Sequence, residues 1–258
     1  MVLTFEPHPT ALLKPERLPP RLTTRDEKAV LIARCGVDVL IEYPTDWALL
    51  SLSPRAFFDQ IVSQQCQAKT LVEGPNFFFG QGRSGDVNML ETFCRETGGS
   101  LTIVPPLQVN EQLVSSSRIR EAILQGDLTS AALMLGRRYS IQGIVSAGAG
   151  RGRTLGFPTA NLEQIETLLP QQGVYAAWCR LPDGDYPTAV NIGPNPTFAD
   201  LQLKVEAHLI GASADLYGQK LSLEFVSRLR GLKTFASREE LQIQINKDVA
   251  DTKSLCAP

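Results

Sequence analysis

Histidine is scarce in this chain, and paired cysteine is absent from it. Two histidines occur in 258 residues, and the five cysteines, at 35, 66, 94, 179 and 256, form no C-x-x-C. An odd, scattered set argues against both a disulfide framework and a zinc site, and fits reduced thiols in a cytoplasmic protein. No apolar run approaches the ~18 residues of a membrane-spanning helix. Residues 1–10 lack the basic start and apolar stretch of a signal peptide. There is no excess of positive charge: Lys+Arg against Asp+Glu is 12 to 14 in residues 1–125 and 13 to 13 in residues 126–258. Nucleic acid and membrane are therefore not expected as partners, which leaves small molecules. Internal repeats and low-complexity tracts are also missing. So is G-x-x-x-x-G-K-[ST], and Leu155 stands where G-x-G-x-x-G would need glycine after Gly150 and Gly152. Oligomeric state has no signature here.

With 43% apolar residues, the length is enough for one large or two ordinary domains. The first half alternates. Residues 2–5 read as a strand, and a helix over 25–35 is capped by Thr23 or Thr24 and ended by Gly36. A strand over 37–42 follows, then a helix after Ser53 with Phe57, Phe58, Ile61 and Val62 on one stripe. A strand over 70–72, a helix over 87–96 and a strand over 101–104 complete the series. Such alternation predicts a parallel sheet covered by helices, with ligands at the carboxyl ends of the strands. The second half opens with a short helix after Gly126-Asp127, read as a bridge between domains. It continues as β-type segments over 139–146, 173–180, 186–192, 203–210 and 220–227, which predict an antiparallel barrel. A last helix starts at Ser237, with Ser237 and Glu240 as a capping box and Leu241, Ile245 and Val249 on its packed face.

Residues 143–162 carry the densest chemistry. Gly148, Gly150, Gly152 and Gly156 surround Arg151 and Arg153, and the loop ends in Phe157-Pro158-Thr159-Ala160-Asn161. Glycines let backbone approach an anion closely, successive N–H groups make an anion-binding concavity, and arginine suits phosphate oxygens. In an extended chain Thr159 and Asn161 share a face, as hard oxygen ligands suited to Mg²⁺ held with a nucleotide phosphate. The competing reading is a common surface turn. Leu203–Leu209 alternates, with Lys204, Glu206 and His208 opposite Leu203, Val205, Ala207 and Leu209. It is either a surface strand with a solvated face, or a strand that aims Glu206 into a cleft as a general base. In the first half, Ser115, Ser116 and Ser117 before a helix, with Arg118 and Arg120, form either an anion site or an ordinary cap with surface arginines. Phe77–Phe79 reads as core.

Two series of motifs carry a resemblance. Gly136-Arg137-Arg138-Tyr139, Gly143-x-Val145, Arg151–Asn161, Gly173-Val-Tyr-Ala176, Asn191-Ile-Gly193, Pro196-Thr197, Glu206-Ala-His208 and Asp215-Leu-Tyr-Gly218 resemble the kinase module of bacterial bifunctional riboflavin kinase/FAD synthetases. Thr4-Phe-Glu-Pro-His-Pro9, Arg21-Leu-Thr23 with Lys28, Gly74-x-Asn76-Phe-x-Phe-Gly80 and Ser115-Ser116-Ser117-Arg118-x-Arg120 resemble its FMN adenylyltransferase module, with Ser117 in place of the usual threonine. The resemblance implies a Rossmann-like α/β nucleotidyltransferase domain over 1–125 and a riboflavin kinase barrel with a C-terminal helix over 126–258. It implies phosphorylation of riboflavin to FMN by ATP with Mg²⁺. In that reading Gly148, Gly150, Arg151, Gly152, Arg153, Pro158 and Thr159 meet ATP, Thr159 and Asn161 hold the metal, and Glu206 is the base. His208, Arg228 and Arg230 become flavin or phosphate contacts. Asn76, Ser115–Ser117, Arg118 and Arg120 become the adenylyltransferase-side nucleotide or flavin site, with FMN as a possible second substrate.

The departure from the family lies at the start. The family's Gly-x-Phe-Asp-Gly-x-His-x-Gly-His motif and its strand precede Thr-Phe-Glu-Pro-His-Pro, whereas this chain begins Met1-Val-Leu-Thr-Phe. Because the later motifs are intact, the expectation is an internal methionine taken as the start, or a fragment of a longer chain, rather than a decayed half. FMN adenylyltransferase activity is accordingly in doubt. The alternatives are a full bifunctional enzyme with a longer start and a non-catalytic flavin-binding module, against which Thr159, Asn161 and Glu206 together argue.

Overall fold

A computed structural model of the chain describes residues 1–147, 152, 156–195, 200–213 and 215–257; side chains of 195 and 200–202 are outside the description. Contacts divide it into two units. Met1–Pro19 with Ala29–Leu113 form one; Pro20–Lys28 with Val114–Pro258 form the other.

The first unit holds β1 (Val2–Glu6), α1 (Thr10–Leu13), most of α2 (Arg25–Arg34), β2 (Leu40–Pro44), α3 (Trp47–Leu50), α4 (Pro54–Phe57), β3 (Thr70–Glu73), α5 (Val87–Glu96), β4 (Ser100–Ile103) and a hairpin, β5 (Gln108–Val109) and β6 (Gln112–Leu113). Caps fall where short polar side chains precede apolar runs. Thr24, Ser53 and Asp86 accept from Glu27, Ala56 and Met89 amides at 3.2, 3.2 and 2.9 Å. After Phe57 the helix widens to π geometry over Phe58–Gln65, which still buries Phe58, Ile61 and Val62. Phe57 and Phe93 pack on buried Phe79, and Phe77 stacks on it. The middle of the Phe77–Phe79 run departs from the core reading: Phe78 is exposed under the Arg83 guanidinium, 4.8 Å from its ring centre.

The strands are parallel, as the alternation predicts, but they do not form one sheet. β1 pairs with β2 and β3 with β4, and no ladder joins the two pairs among the described residues. β2 also starts at Leu40 rather than 37, because Gly36 turns at φ +79 and Val37 does not yet reach β1.

Besides Pro20–Lys28, the second unit holds α6 (Ser116–Gln125) and α7 (Leu128–Leu135). Ser115 and Asp127 cap them, and both end on left-handed glycines, Gly126 and Gly136. The sequence reads α7 as a bridge. Instead, Leu128 and Ala131, with Ile119, Ala122 and Ile123 of α6, join the barrel core.

The barrel is closed, in the order β10-β11-β8-β7-β12-β9, from β7 (Ser140–Ser146), β8 (Ala160–Glu163), β9 (Gly173–Leu181), β10 (Gly184–Asn195), β11 (Asp200–Leu209) and β12 (Lys220–Arg230). Alternation sends Ile141, Val145, Tyr175, Ala177, Val190, Ile192, Val205, Ala207, Leu223 and Phe225 inward. Each large side chain so buried stabilises by about 1.5–3 kcal/mol. Leu203 is the exception, 54% exposed although its alternation partners are buried. Tyr139 donates to Leu168 O at 2.6 Å from inside the core.

α8 (Arg238–Leu255) lies across β9, β10 and β12. Its seam differs from the Leu241-Ile245-Val249 stripe. Those three are half-buried, while Asp248, Thr252 and Cys256 are buried. The polar seam exists because Arg230 on β12 forks onto Asp248, with contacts of 2.7, 3.0 and 3.1 Å. Gln244 adds a 2.9 Å bond to the same carboxylate. Ser237 caps the Glu240 amide as read, but the Glu240 carboxylate reaches back to the Ala236 amide, one residue before the cap.

Candidate active site

The site is assembled by register. On β11, Val205 and Ala207 are buried in the barrel, so Glu206 between them points outward. It stands opposite Asn161 of β8 on one side and Asn191 of β10 on the other. Asn161 in turn faces Ser146 of β7. Directly opposed residues share a face with Cβ atoms about 4.5–5.5 Å apart. Four polar side chains, Ser146, Asn161, Glu206 and Asn191, therefore form one row across four strands on the outer surface. The Ser146 hydroxyl is buried and has no hydrogen-bond partner among the described residues.

Two contacts bind the Gly-rich loop's end to this row. The His208 ring nitrogen Nδ1 lies 2.8 Å from Pro158 O, and its ring meets Phe157 edge to face at 5.6 Å. A carbonyl only accepts, so Nδ1 carries the proton in this contact. Gly152 accepts from the Phe157 amide at 2.8 Å. A Cβ at Gly152 would lie 2.3 Å from Phe157 O and 3.1 Å from Thr159 Oγ1, so only glycine lets the loop close on Thr159. Thr159 is exposed, one residue before β8. Gly148, Gly150, Arg151 and Arg153 lie outside the described residues, as do Pro196 and Thr197.

The two arginines of β12 have other partners. Arg230 shares the outward row through Val174, which faces both Asn191 and Arg230, but it sits three strands from Glu206, roughly 14 Å around the barrel. Its guanidinium is taken by Asp248 and by Gly231 O at 3.0 Å. Arg228 donates to Gln172 O at 2.9 Å, and its stem lies against the Gly126 turn.

On the adenylyltransferase side, Asn76 is exposed in the turn after β3, in the first unit. Desolvation raises the pKa of the neighbouring Glu73 carboxyl. Ser115–Arg120 belong to the second unit. The Ser115 hydroxyl accepts from the Arg118 amide at 3.3 Å, which leaves Ser116 and Ser117 exposed in the first turn of α6. Arg120 donates to Pro20 O at 2.8 Å, and burial lowers its pKa.

In the sequence Asn191 stands only within the Asn191-Ile-Gly193 string and Ser146 only within the run before the Gly-rich loop. Their signal is a polar residue at an outward position beside inward apolar ones, which becomes a site only once the strand order is known. Among the described residues no group of three or more His, Cys, Asp or Glu could hold a metal. No described helix is long and apolar enough to cross a membrane.

Comparison with known proteins identifies the family. The riboflavin kinase family matches residues 135–256, and the FAD synthetase family matches residues 1–118. The chain is 34% identical over 249 residues to the bifunctional riboflavin kinase/FMN adenylyltransferase of Escherichia coli strain K12, covering 96% of this chain and 80% of that one. It is 34% identical over 252 residues to the enzyme of the same name from Bacillus subtilis strain 168, covering 96% and 79%. A solved structure titled as a macrolide-efflux protein from Streptococcus pneumoniae superposes with a TM-score of 0.85 at 28% identity, over 98% of this chain and 82% of that one. The chain belongs to the family of bifunctional riboflavin kinase/FMN adenylyltransferases, and its barrel is the riboflavin kinase half, which forms FMN.

Proposed function

We propose that the outward row centred on Glu206 is where the ATP γ-phosphoryl group passes to the riboflavin 5′-hydroxyl. Glu206 takes the hydroxyl proton as the oxygen attacks phosphorus, and ADP leaves. The observation that carries this reading is the register that sets Glu206 directly beside Asn161, an acceptor two residues beyond Thr159. A hydroxyl and an amide oxygen are hard, neutral ligands, which fits Mg²⁺ bound largely through substrate phosphates. Thr159 and Asn161 would hold the ion, and it would supply neutralisation of the phosphate charge. Gly148, Gly150, Arg151, Gly152 and Arg153 cover the phosphates with backbone N–H groups and positive charge, and Pro158 and Thr159 line the same end. His208 acts through Pro158 rather than on substrate. Arg228 and Arg230 hold the barrel and α8 in place. Incubation with riboflavin, ATP and Mg²⁺, followed by separation of the flavins, tests the reading; a folded sample that makes no FMN refutes it.

The functional boundary is placed at 125/126, with Asn76, Ser115, Ser116, Ser117, Arg118 and Arg120 as the FMN adenylyltransferase side and the cytoplasm as the compartment. These 258 residues hold no His-x-Gly-His, and among the described residues no strand links the two parallel pairs of the first unit. A polypeptide of this sequence therefore makes FMN far faster than FAD.

A further inference from the structure

We infer that His208 is a positioning residue for the reaction, fixing where Thr159 stands relative to Glu206. This rests on the reading of Thr159 as a nucleotide-side ligand and of Glu206 as the base. The β8–β11 ladder sets Asn161 opposite Glu206 and Ala160 opposite Ala207, and Ala160 is the first residue of β8. One step further, the same register would set Thr159 opposite His208. Strand pairing stops before that step, and the His208 side chain supplies the tie in its place.

Three contacts make the tie. His208 Nδ1 lies 2.8 Å from Pro158 O, the imidazole meets the Phe157 ring edge to face at 5.6 Å, and the Phe157 amide donates to Gly152 O at 2.8 Å. The Pro158 carbonyl belongs to the planar peptide that leads into Thr159, and proline fixes its own φ, so a hold on that carbonyl orients the chain as it enters Thr159. Thr159 is thus held from both sides, by Pro158 before it and by the Ala160–Ala207 pair after it. Its hydroxyl comes to lie beside Gly152, 3.1 Å from where a Cβ there would stand.

Both holds belong to β11. Glu206 and His208 share the outward face because Ala207 between them is buried. One strand therefore carries the base, the pairing partner of Ala160 and the clasp on Pro158, in three consecutive residues. The separation of base and ligand is then set by the repeat of a strand rather than by a loop. This matters because a misplacement of about 1 Å among reacting groups costs on the order of 10²-fold. The clasp is made by Nδ1. An asparagine amide nitrogen, the same number of bonds from the backbone, can stand in for it; the glutamine nitrogen reaches one bond further, to the place of Nε2.

The experiment measures MgADP affinity by titration calorimetry, together with kcat and the KM values for MgATP and riboflavin, in His208→Ala, His208→Asn, His208→Gln and Thr159→Val, each with a thermal melt. His208→Ala should weaken MgADP binding and raise the KM for MgATP by about 5- to 50-fold, the worth of one neutral hydrogen bond with one aromatic pair, while the KM for riboflavin stays within about twofold. Asparagine should recover most of the affinity, and glutamine should resemble alanine. MgADP affinity within about twofold of the parent in His208→Ala would overturn the inference. Equal affinities in the asparagine and glutamine variants would also overturn it, and that comparison decides if the alanine variant does not fold. Parent-like MgADP affinity in Thr159→Val would remove Thr159 from the nucleotide end and the inference with it. A loss in Thr159→Val beside an unchanged His208→Ala would leave that reading standing and reject His208 alone.

Discussion

Replacing Asp248 with asparagine separates a structural Arg230 from a phosphate-binding one. Asp248 accepts two bonds from Arg230 Nε and one from Nη2, and both side chains are largely covered, at 18% and 7% exposure. Removing one charge of a buried pair costs about 3–5 kcal/mol, because the partner is left desolvated and unpaired. This pair is not fully dry and Arg230 keeps Gly231 O, so the lower end applies, about 3 kcal/mol. For a unit of roughly 150 residues, 1 kcal/mol moves Tm by about 2–4 °C, so Asp248→Asn should lower the barrel transition by about 6–12 °C. Arg230→Met combined with Asp248→Leu should recover most of that, since an apolar pair of similar volume needs no desolvation. Scanning calorimetry gives the shift, and kinetics below the transition give the KM for MgATP, expected within about threefold of the parent in all variants. A Tm within 2 °C of the parent, or a tenfold rise in that KM, would refute the assignment of Arg230 to α8.

Three further outcomes are expected. Gly152→Ala forces a backbone clash with Phe157 O and pushes the loop from Thr159; the KM for MgATP should rise at least about tenfold while the barrel melts normally, and an unchanged KM would show that the loop position is irrelevant. Burial pushes the Tyr139 hydroxyl to about 12 from 10.0 and the Cys179 thiol to about 11 from 9.0. Both folded values exceed the unfolded ones, so this stabilisation is complete below pH 9 and is lost as pH rises through 11 and 12. Urea titrations should show that fall, and Tyr139→Phe should be weaker at pH 8 but flatter above pH 10; an equal slope would clear Tyr139. With FMN, ATP and Mg²⁺, a polypeptide of these residues should make FAD far more slowly than it makes FMN from riboflavin, and comparable rates would mean that another group serves where the family uses histidines.

What the sequence made legible is what local chemistry decides. α5 ends where Asp86 and Gly98 flank its apolar face, and the strict alternation of Val205-Glu206-Ala207 fixes the side of β11 on which Glu206 lies. Long-range pairing was not legible. β8 follows a Gly-rich loop and a proline, so Ala160–Glu163 carries no alternation long enough to announce a strand. The barrel joins β8 to β7 and β11 rather than to its successor in the chain, and that order alone brings Ser146 and Asn191 into the row. The split of the parallel strands into two pairs leaves no mark within any one strand. The seam of α8 misled because a buried Arg230–Asp248 pair replaced the apolar contact that periodicity implies.

Glu206→Gln, assayed for both turnover and binding, tests the central claim most directly. Riboflavin binding, followed by flavin fluorescence, should match the parent, because the amide keeps the size of the side chain. FMN formation with ATP and Mg²⁺ should fall by about 10²–10⁴, the usual contribution of a general base. Turnover within a few-fold of the parent would contradict Glu206 as the base and, with it, the outward row as the phosphoryl-transfer site.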